Sequence, residues 1–330
     1  MQAILDHFCG KRVLITGGLG FIGSNLARQL VEVDARVLLV DSLIPEYGGN
    51  LFNIAGIEDR LQVNISDVRD QFSLKHLVKG VDFIFNLAGQ TSHLDSMEDP
   101  QTDLAINCTA QLSILEVCRR HNPGVKLIFA STRQIYGRPQ YLPVNETHPL
   151  NPVDVNGINK MAAEFYHRLY DRVYGLRTCV LRLTNTVGPR MRVRDARQTF
   201  VGIWVRQLLE GLPIQVWGGP QLRDFTYVDD VVEALLTVAV AEQGQGEVFN
   251  LGGSSVISLR DLAALMIRIH GGGQFEIKTF PANRDAIDIG DYYSDYTKIS
   301  QVFGWKPRTQ LEEAMSITLQ YYRHNLANYI

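Results

Sequence analysis

The sequence has few of the features that mark proteins acting on nucleic acids or within membranes. Its formal net charge is -3, so it has no excess of basic residues of the kind that nucleic-acid-binding proteins need. No apolar run in the sequence approaches the roughly 20 residues that span a bilayer. The first ten residues lack the long apolar core of a signal peptide, and we therefore expect a cytoplasmic protein.

Cysteine is also scarce, with four in 330 residues. None forms a CxxC pair or lies near histidine at the spacing of metal ligands. The sequence therefore predicts neither a disulfide framework nor a metal site. A hydrophobic content of 45% and a charged content of 20% are typical of a globular protein. Evidence of function must come from local motifs.

Short apolar runs alternate with longer amphipathic segments in the first half of the chain. The strands predicted there are 12–16, 36–40, 81–87, 125–130 and 178–183, and the helices are about 103–121 and 157–174. Continuous apolar strands separated by helices indicate a parallel sheet that is covered on both faces. The expected fold is α/β, a Rossmann-like doubly wound parallel sheet of about seven strands.

Three glycines, Gly17, Gly20 and Gly23, lie between the first predicted strand and the helix after it. In such a turn the first glycine permits a tight bend, the second lets the backbone approach a pyrophosphate, and the third lets helix and strand pack closely. The helix start, which includes Phe21 and Ile22, offers its N–H groups to phosphates. We predict a dinucleotide site; the alternative is a glycine-rich turn without a ligand.

Asp41 ends the second predicted strand and is followed by Ser42. An acid at about this distance from the glycines accepts the adenosine ribose hydroxyls in dinucleotide-binding folds. A carboxylate there repels a 2′-phosphate and no arginine follows immediately, so NAD is favoured over NADP. The alternative role for Asp41 is to cap a turn.

The alternation loosens after residue 185. Short strands are predicted at 214–217 and 247–250, with helices near 200–210, 229–241, 258–270 and 310–325. We predict a NAD-binding Rossmann domain at 1–185 and mainly a smaller substrate-binding α/β cap domain at 186–330. Strands of the second part are expected to return to the main sheet.

The TGxxGxxG spacing is similar to that of the short-chain dehydrogenase/reductase family. Further segments over about residues 11–307 resemble its extended branch, the NAD-dependent nucleotide-sugar epimerases and dehydratases. The turn at 67–70 resembles the one whose acid meets adenine, and 86–89 resembles the strand end that lines the cofactor. By this resemblance the residues that bind NAD are Gly17, Gly20, Phe21, Ile22, Gly23, Asp41, Ser42, Asp67, Val68, Leu87, Ala88, Gly89 and Lys160.

The same resemblance implies a nucleotide-diphosphate sugar as substrate and a homodimer formed through the helices near 103–121 and 157–174. Thr132 stands at the catalytic Ser/Thr position, Asn185 at the position that touches the nucleotide sugar, and Arg223 at the position that meets the diphosphate. A cluster of arginines between 190 and 197 could clamp phosphates or a carboxylate; its alternative is a solvated loop with ion pairs. The residues predicted to bind substrate are Gln90, Thr132, Asn185, Arg190, Arg197, Arg223 and Arg284.

The catalytic tyrosine of this family is missing. Members carry a tyrosine four residues before a lysine, and here Asn156 stands in that place before Lys160. In the family the tyrosine moves a proton while NAD moves a hydride, and the lysine holds the ribose. A carboxamide cannot act as a base near neutral pH. We therefore predict a catalytic set of Thr132, Lys160, Asn156 and His93 in which the proton carrier is not residue 156.

Three interpretations of Asn156 remain open. In the first it is natural and another group carries the proton, with His93 as the best candidate because histidine titrates near neutrality; the alternative is a structural histidine. In the second a tyrosine was replaced to trap a substrate. In the third the protein binds NAD and a nucleotide sugar but catalyses nothing. The retained substrate motifs favour an enzyme.

Dehydratases of the family usually add an Asp-Glu pair after the threonine, and here those places hold Arg133 and Gln134. The sequence therefore provides fewer acid and base side chains for the elimination of water than for epimerisation. Arg133 is expected to pair with an anionic substrate group or with Asp154; the alternative is a surface side chain.

Overall fold

The computed structural model describes residues 1–280 and 285–330. Its strands are β1 (Arg12–Thr16), β2 (Arg36–Asp41), β3 (Gln62–Ile65), β4 (Phe83–Asn86), β5 (Lys126–Thr132), β6 (Thr178–Leu183), β7 (Asn185–Val187), β8 (Ile214–Trp217), β9 (Leu222–Tyr227), β10 (Val248–Asn250), β11 (Val256–Ser258) and β12 (Phe275–Lys278). Its helices are α1 (Gln2–Leu5), α2 (Phe21–Val31), α3 (Gln71–Leu77), α4 (His93–Glu98), α5 (Pro100–Leu104), α6 (Ala110–His121), α7 (Val155–Tyr174), α8 (Phe200–Leu209), α9 (Val228–Val240), α10 (Leu259–His270), α11 (Thr297–Phe303) and α12 (Leu311–Asn325).

Seven strands form one parallel sheet in the order β10-β6-β5-β4-β1-β2-β3. The order reverses between β1 and β4, which lie side by side although β2 and β3 separate them in the chain. Ligands of doubly wound sheets bind at such a switch point, beyond the carboxyl ends of the strands. The predicted fold class is confirmed.

Both faces of this sheet are covered because its strands are apolar on both sides. In β5, Ile128 packs into one core with side chains of α2 and α9, whereas Leu127 and Phe129 pack into another with side chains of α3, α6 and α7. Successive side chains of a strand point to opposite faces. A continuous apolar run therefore fills two cores at once.

The longest helix, α7, carries two residues of the predicted catalytic set. It begins after Asp154, whose carboxylate accepts the N–H of Gly157 at 2.7 Å, and ends at Gly175 with a φ of +67°. Asn156 and Lys160 lie one turn apart on its buried face. Across residues 1–280 and 285–330, no helix has both the length and the apolar character needed to cross a membrane.

Segments after residue 185 belong to two regions: the main sheet, and a second region with smaller sheets and its own core. β7, β9 and β11 form a small sheet and β8 pairs with β12, and around them Trp204, Leu262 and Met315 form a separate core. β10, by contrast, pairs with β6 in the main sheet, and α9 packs against that sheet's core. The chain therefore returns to the first region at α9 and β10, and then adds β11, α10, β12 and α12 to the second.

Candidate functional site

The turn between β1 and α2 has a geometry suited to an anion. Gly17 has a φ of +66°, and its N–H donates to the carbonyl oxygen of Val40 at 2.8 Å. A Cβ on Gly23 would lie 2.3 Å from the carbonyl oxygen of Gly17, so a side chain there would force α2 away from the loop. In the described structure no side chain caps α2 at Gly20. The first N–H groups of α2 are therefore left for phosphate oxygens.

Asp41 lies at the end of β2 beside this loop. Its two carboxylate oxygens accept the N–H groups of Leu19 at 3.0 Å and Leu43 at 2.9 Å. Burial raises the pKa of Asp41, while the backbone N–H donors act in the opposite direction. Held in this way, the carboxylate presents its remaining lone pairs to the cleft, where ribose hydroxyls would supply the donors.

One cleft at the carboxyl ends of the strands gathers most of the predicted site residues. Those that line it are Gly17, Gly20, Phe21, Ile22, Gly23, Asp41, Ser42, Asp67, Val68, Leu87, Ala88, Gly89, Gln90, His93, Thr132, Asn156, Lys160 and Asn185. Apart from Lys160 on α7, the residues predicted for NAD lie in α2 or at and just after the ends of β1 to β4, whereas the predicted catalytic residues lie on β5, α4 and α7. We call the part of the cleft formed by the residues predicted for NAD the cofactor half, and the part formed by Thr132, His93 and Asn156 the reacting half.

The carboxamide of Asn156 belongs to a buried hydrogen-bond network. Its Nδ2 donates to the carbonyl oxygen of Gln90 at 2.8 Å and to Oδ2 of Asp103 at 3.1 Å. Asp103 also accepts Nδ2 of Asn107 at 3.0 Å and Nδ2 of Asn159 at 2.8 Å. A carboxylate removed from water needs such donors. Asn156 thus acts as a hydrogen-bond donor that helps to stabilise a buried negative charge.

Lys160 lies beneath the floor of the cleft. Its Nζ donates to the carbonyl oxygen of Ala130 at 3.2 Å and lies 4.9 Å from the centre of the Phe129 ring. Burial lowers the pKa of Lys160 to about 8, although the nearby carboxylate of Asp103 acts to raise it. An ammonium group has three donors, so Lys160 can also bind hydroxyl groups of a ligand.

His93 and Asp154 form a pair at the reacting half of the cleft. Nδ1 of His93 lies 2.9 Å from Oδ2 of Asp154, and the imidazole is 38% exposed whereas the carboxylate is fully buried. Oδ2 of Asp154 also accepts Nε2 of Gln134 at 2.8 Å. Burial alone would raise the pKa of Asp154, but His93, Gly157 and Gln134 outweigh it, and the pKa lies below its usual value. The two atoms lie at ion-pair distance, but Nδ1 of His93 makes no hydrogen bond of good geometry among the described residues.

Thr132 and Arg133 continue the same wall at the end of β5. Oγ1 of Thr132 accepts the N–H of Gln134 at 3.2 Å, which leaves its own hydroxyl hydrogen available to a ligand. Nη2 of Arg133 donates to Oδ1 of Asn185 at 3.1 Å. Nη1 of Arg133 is buried and has no hydrogen-bond partner in the described structure. Arg133 is therefore not a solvated surface side chain, and the expected pairing with Asp154 is wrong, because that carboxylate is held by other donors.

Three arginines predicted to bind substrate do not line this cleft. Arg190 donates to Oδ1 of Asn25 at 2.6 Å, and Arg197 pairs with Asp95 at 2.7 Å. Arg223 is buried and donates to the carbonyl oxygens of Leu222 and Gly290. Their roles toward a substrate remain predictions.

The fourth arginine of that set, Arg284, lies outside the described residues. Arg223 also lies 3.5 Å from Oδ1 of Asp288. Burial first, and then the like charge of Arg133, lower the pKa of Arg223 to about 10.

The structure adds roles and residues that the sequence analysis did not assign to the site. Asp103 and Asp154 organise the reacting half, and loop residues such as Tyr47, Gln198 and Thr199 line the cleft. Asp154 had a usable signal, since an acid just before a helix is a preferred cap. The loop residues had none, because their place in the cleft depends on tertiary structure alone.

Comparison with known proteins shows the family of this chain. The family model described as the NAD-dependent epimerase/dehydratase family matches residues 13–252. The chain belongs to this family. The UDP-glucose 4-epimerase of Mycolicibacterium smegmatis is 29% identical over 95% of this chain and 99% of its own.

Two solved members show how closely the architecture agrees. The UDP-glucose 4-epimerase of Thermotoga maritima, solved with UDP-glucose, is 31% identical with a TM-score of 0.86, and the match covers 96% of this chain and 99% of that one. The dTDP-glucose 4,6-dehydratase of Streptomyces venezuelae, solved with NAD, is 26% identical with a TM-score of 0.87, and the match covers 96% and 98%.

The cofactor of this protein is NAD, and the residues of the cleft fit it. The glycine turn and the uncapped start of α2 suit the pyrophosphate. The carboxylate of Asp41 suits the adenosine ribose, and Lys160 lies where it can hold the second ribose beside the reacting half. When bound, NAD supplies a hydride acceptor that can later return the hydride.

Proposed function

We propose that this protein is an NAD-dependent nucleotide-sugar epimerase in which His93, held by Asp154, carries the proton that a tyrosine carries in other members of the family. The observation that supports this most is the 2.9 Å contact between Nδ1 of His93 and the buried carboxylate of Asp154. With Nδ1 beside this carboxylate, Nε2 is the ring nitrogen that we assign to the ligand side of His93, which lines the cleft. A base oriented by a carboxylate is the arrangement that general-base catalysis uses.

Each residue of the reacting half then has a task. Nε2 of His93 would take the proton of a sugar hydroxyl while the carbon that carries this hydroxyl gives up its hydride to bound NAD, and Asp154 would stabilise the imidazolium that forms. The hydroxyl of Thr132 donates to that sugar oxygen and orients it. Lys160 holds the ribose of the cofactor, and its charge favours development of negative charge nearby.

Epimerisation is preferred over dehydration because of the two residues directly after Thr132. Elimination of water needs an acid and a base beyond the hydride step, and the positions that hold them in dehydratases are Arg133 and Gln134 here. Gln134 is committed to Asp154, and a guanidinium does not give up its proton near neutral pH. Transient oxidation and return of the hydride to the other face need neither.

We also propose that Asn156 is the natural residue and not a replacement made to trap a substrate. Its amide is one of three that donate to Asp103, in a network that spans α5, α7 and the π-helical turn Ala105–Thr109 between α5 and α6. The phenol of a tyrosine has one hydrogen-bond donor, whereas the amide of Asn156 donates to two oxygen atoms at once. The surroundings of Asn156 therefore match an amide.

A second candidate is a protein that binds NAD and a nucleotide sugar without turning either over. Asn156 favours this candidate, because the carboxamide at the usual position of proton transfer acts neither as an acid nor as a base. The two candidates differ in one measurable property, which is hydride transfer between the bound sugar and NAD.

The test is turnover by the purified protein with NAD and a panel of uridine, thymidine, guanosine and cytidine diphosphate sugars. We expect at least one sugar to be recovered as its epimer, with solvent deuterium absent from the carbon that exchanges hydride. Asn156→Tyr serves as the comparison. No product from any sugar, with none gained by Asn156→Tyr, would contradict the proposed enzyme and favour the binding protein.

We further propose that the protein is a homodimer formed through α7 and its neighbours. A stripe on the outer face of α7 leaves Ile158, Phe165, Leu169 and Val173 exposed, with Phe165 49% and Val173 56% accessible. Their spacing of about one or two helical turns places them in one row. An apolar row of this length on a monomer marks an interaction surface.

A further inference from the structure

We infer that Arg133 is a specificity residue for a carboxylate on the sugar, so that the substrate is a nucleotide-linked uronic acid or another acidic sugar. This inference rests on the proposed function, since it names the substrate class of the same site. The observation behind it is a buried guanidinium in the cleft wall with an unused donor. Nη1 of Arg133 is shielded from solvent and meets no hydrogen-bond acceptor among the described residues.

The charge of Arg133 is not neutralised by direct contact. Among the described residues, its one side-chain hydrogen-bond partner is the amide oxygen of Asn185 at 3.1 Å, and its guanidinium lies over the ring of Tyr292, 5.4 Å from the centre. Across residues 1–280 and 285–330, no carboxylate lies within ion-pair distance of it. A buried guanidinium without an anion is costly and calls for a partner from outside the chain.

The nearest acids are committed to other donors. Asp224 accepts the hydroxyl of Thr184 at 2.6 Å and the N–H groups of Gly253 and Ser294 at 3.1 and 3.2 Å. Asp288 lies against Arg223 instead. These acids act to raise the pKa of Arg133, but burial dominates and lowers it. These acids therefore leave Nη1 of Arg133 without an acceptor in the described structure, while the side chain of Arg133 lines the cleft where a ligand would lie.

The position of Arg133 selects the sugar rather than the diphosphate. It comes directly after Thr132 at the end of β5, on the wall that also carries Asn156 and Lys160. Thr132 is the residue proposed to hold the reacting hydroxyl, and the side chain of Arg133 lines the same cleft beside it. A guanidinium binds a carboxylate with two parallel hydrogen bonds, and Nη1 supplies one of them.

The experiment compares binding of matched pairs of nucleotide sugars to the full chain loaded with NAD. The probes are UDP-glucose against UDP-glucuronic acid and the same pair on thymidine diphosphate, measured by calorimetry. We expect the acidic sugar of a pair to bind at least tenfold more tightly. Arg133→Met should remove that preference, weakening the acidic sugar roughly 30-fold or more while the neutral sugar changes little.

Two further variants separate charge from packing. Arg133→Lys keeps the charge but not the paired hydrogen bonds, and it should retain part of the preference. Arg268→Met removes an exposed arginine whose partner is Glu312, and it should bind both sugars as the wild type does. Unchanged NAD binding by Arg133→Met would show that this variant folds.

The possible outcomes separate the role of Arg133 from the proposed function. Tight binding of both sugars without preference, or equal weakening of both by Arg133→Met, would overturn the assignment of Arg133 and leave the epimerase proposal in place. The second result would place Arg133 on the diphosphate. Failure of every nucleotide sugar to bind would overturn both.

Discussion

At the scale of single residues, the reacting half depends on contacts between side chains far apart in the chain. The amide of Asn156 serves Gln90 and Asp103, and the imidazole of His93 meets Asp154. The sequence indicated His93 and the missing tyrosine, because both lie in recognisable motifs. It could not indicate Asp103 or Asp154 as their partners, since α4, α5 and α7 meet only in the folded chain.

Lys160 gives a prediction for stability. Its pKa is lowered from 10.5 to about 8, a difference of about 2.5 units and roughly 3 kcal/mol in the folded protein. In the unfolded chain Lys160 keeps its proton up to its ordinary pKa of 10.5. The free energy of unfolding of the wild type should therefore rise between pH 8 and 10.5. Below pH 8 the full destabilisation from burying the charged lysine should be present. Lys160→Met should therefore be more stable than the wild type at pH 7 and lose this pH dependence.

Chemical denaturation of the NAD-free protein at a series of pH values measures this effect. The gain in stability of Lys160→Met should be smaller than the full destabilisation that burying the Lys160 charge causes, because Asp103 loses a nearby positive charge in the variant. Lys79→Met, at an exposed position, is the control and should behave as the wild type does. A variant that is less stable at pH 7 and keeps the alkaline rise would contradict the assigned burial of Lys160.

At the scale of elements, apolar runs in the sequence predict the positions of strands reliably, whereas strands that bury polar residues do not show such runs. β1, β6 and β8 have the predicted bounds, because their residues are apolar enough to mark a strand. β9 was not predicted as a strand, since Arg223, Asp224 and Thr226 interrupt its pattern; all three are buried, and Asp224 is stabilised there by hydrogen bonds. β3 was missed because it lies at the sheet edge and is mostly exposed.

The helix predicted over 103–121 shows a different limit. It starts earlier, at Pro100, and a π-helical turn at Ala105–Thr109 separates α5 from α6. Such a turn inserts an extra residue and shifts the face that the helix presents, often at functional sites. Periodicity at 3.6 residues cannot reveal it. The turn contains Asn107, whose amide joins the network around Asp103.

At the scale of the whole molecule, the main sheet gives the cleft and the outer face of α7 gives the proposed dimer surface. Phe165→Glu should place a charge in the centre of that surface and convert the dimer to a monomer, because burying an unpaired charge is unfavourable. Light scattering coupled to size exclusion gives the mass of the particle in solution.

Phe72→Glu provides the control for the dimer. Phe72 is 78% exposed on α3, away from the proposed surface, and its replacement should leave the mass of the wild type. A monomeric wild-type protein, or a dimer that persists in Phe165→Glu, would refute the use of this face.

The decisive measurement for the proposed mechanism is the rate at which bound NAD is reduced when the NAD-loaded protein is mixed with the nucleotide sugar that it epimerises. His93→Gln should slow this rate by roughly 10²- to 10⁴-fold, the usual contribution of a general base, without weakening sugar binding to a similar extent. His76→Gln, at an exposed position on α3, should react as the wild type does. Reduction of NAD by His93→Gln at the wild-type rate would contradict the claim that His93 carries the proton.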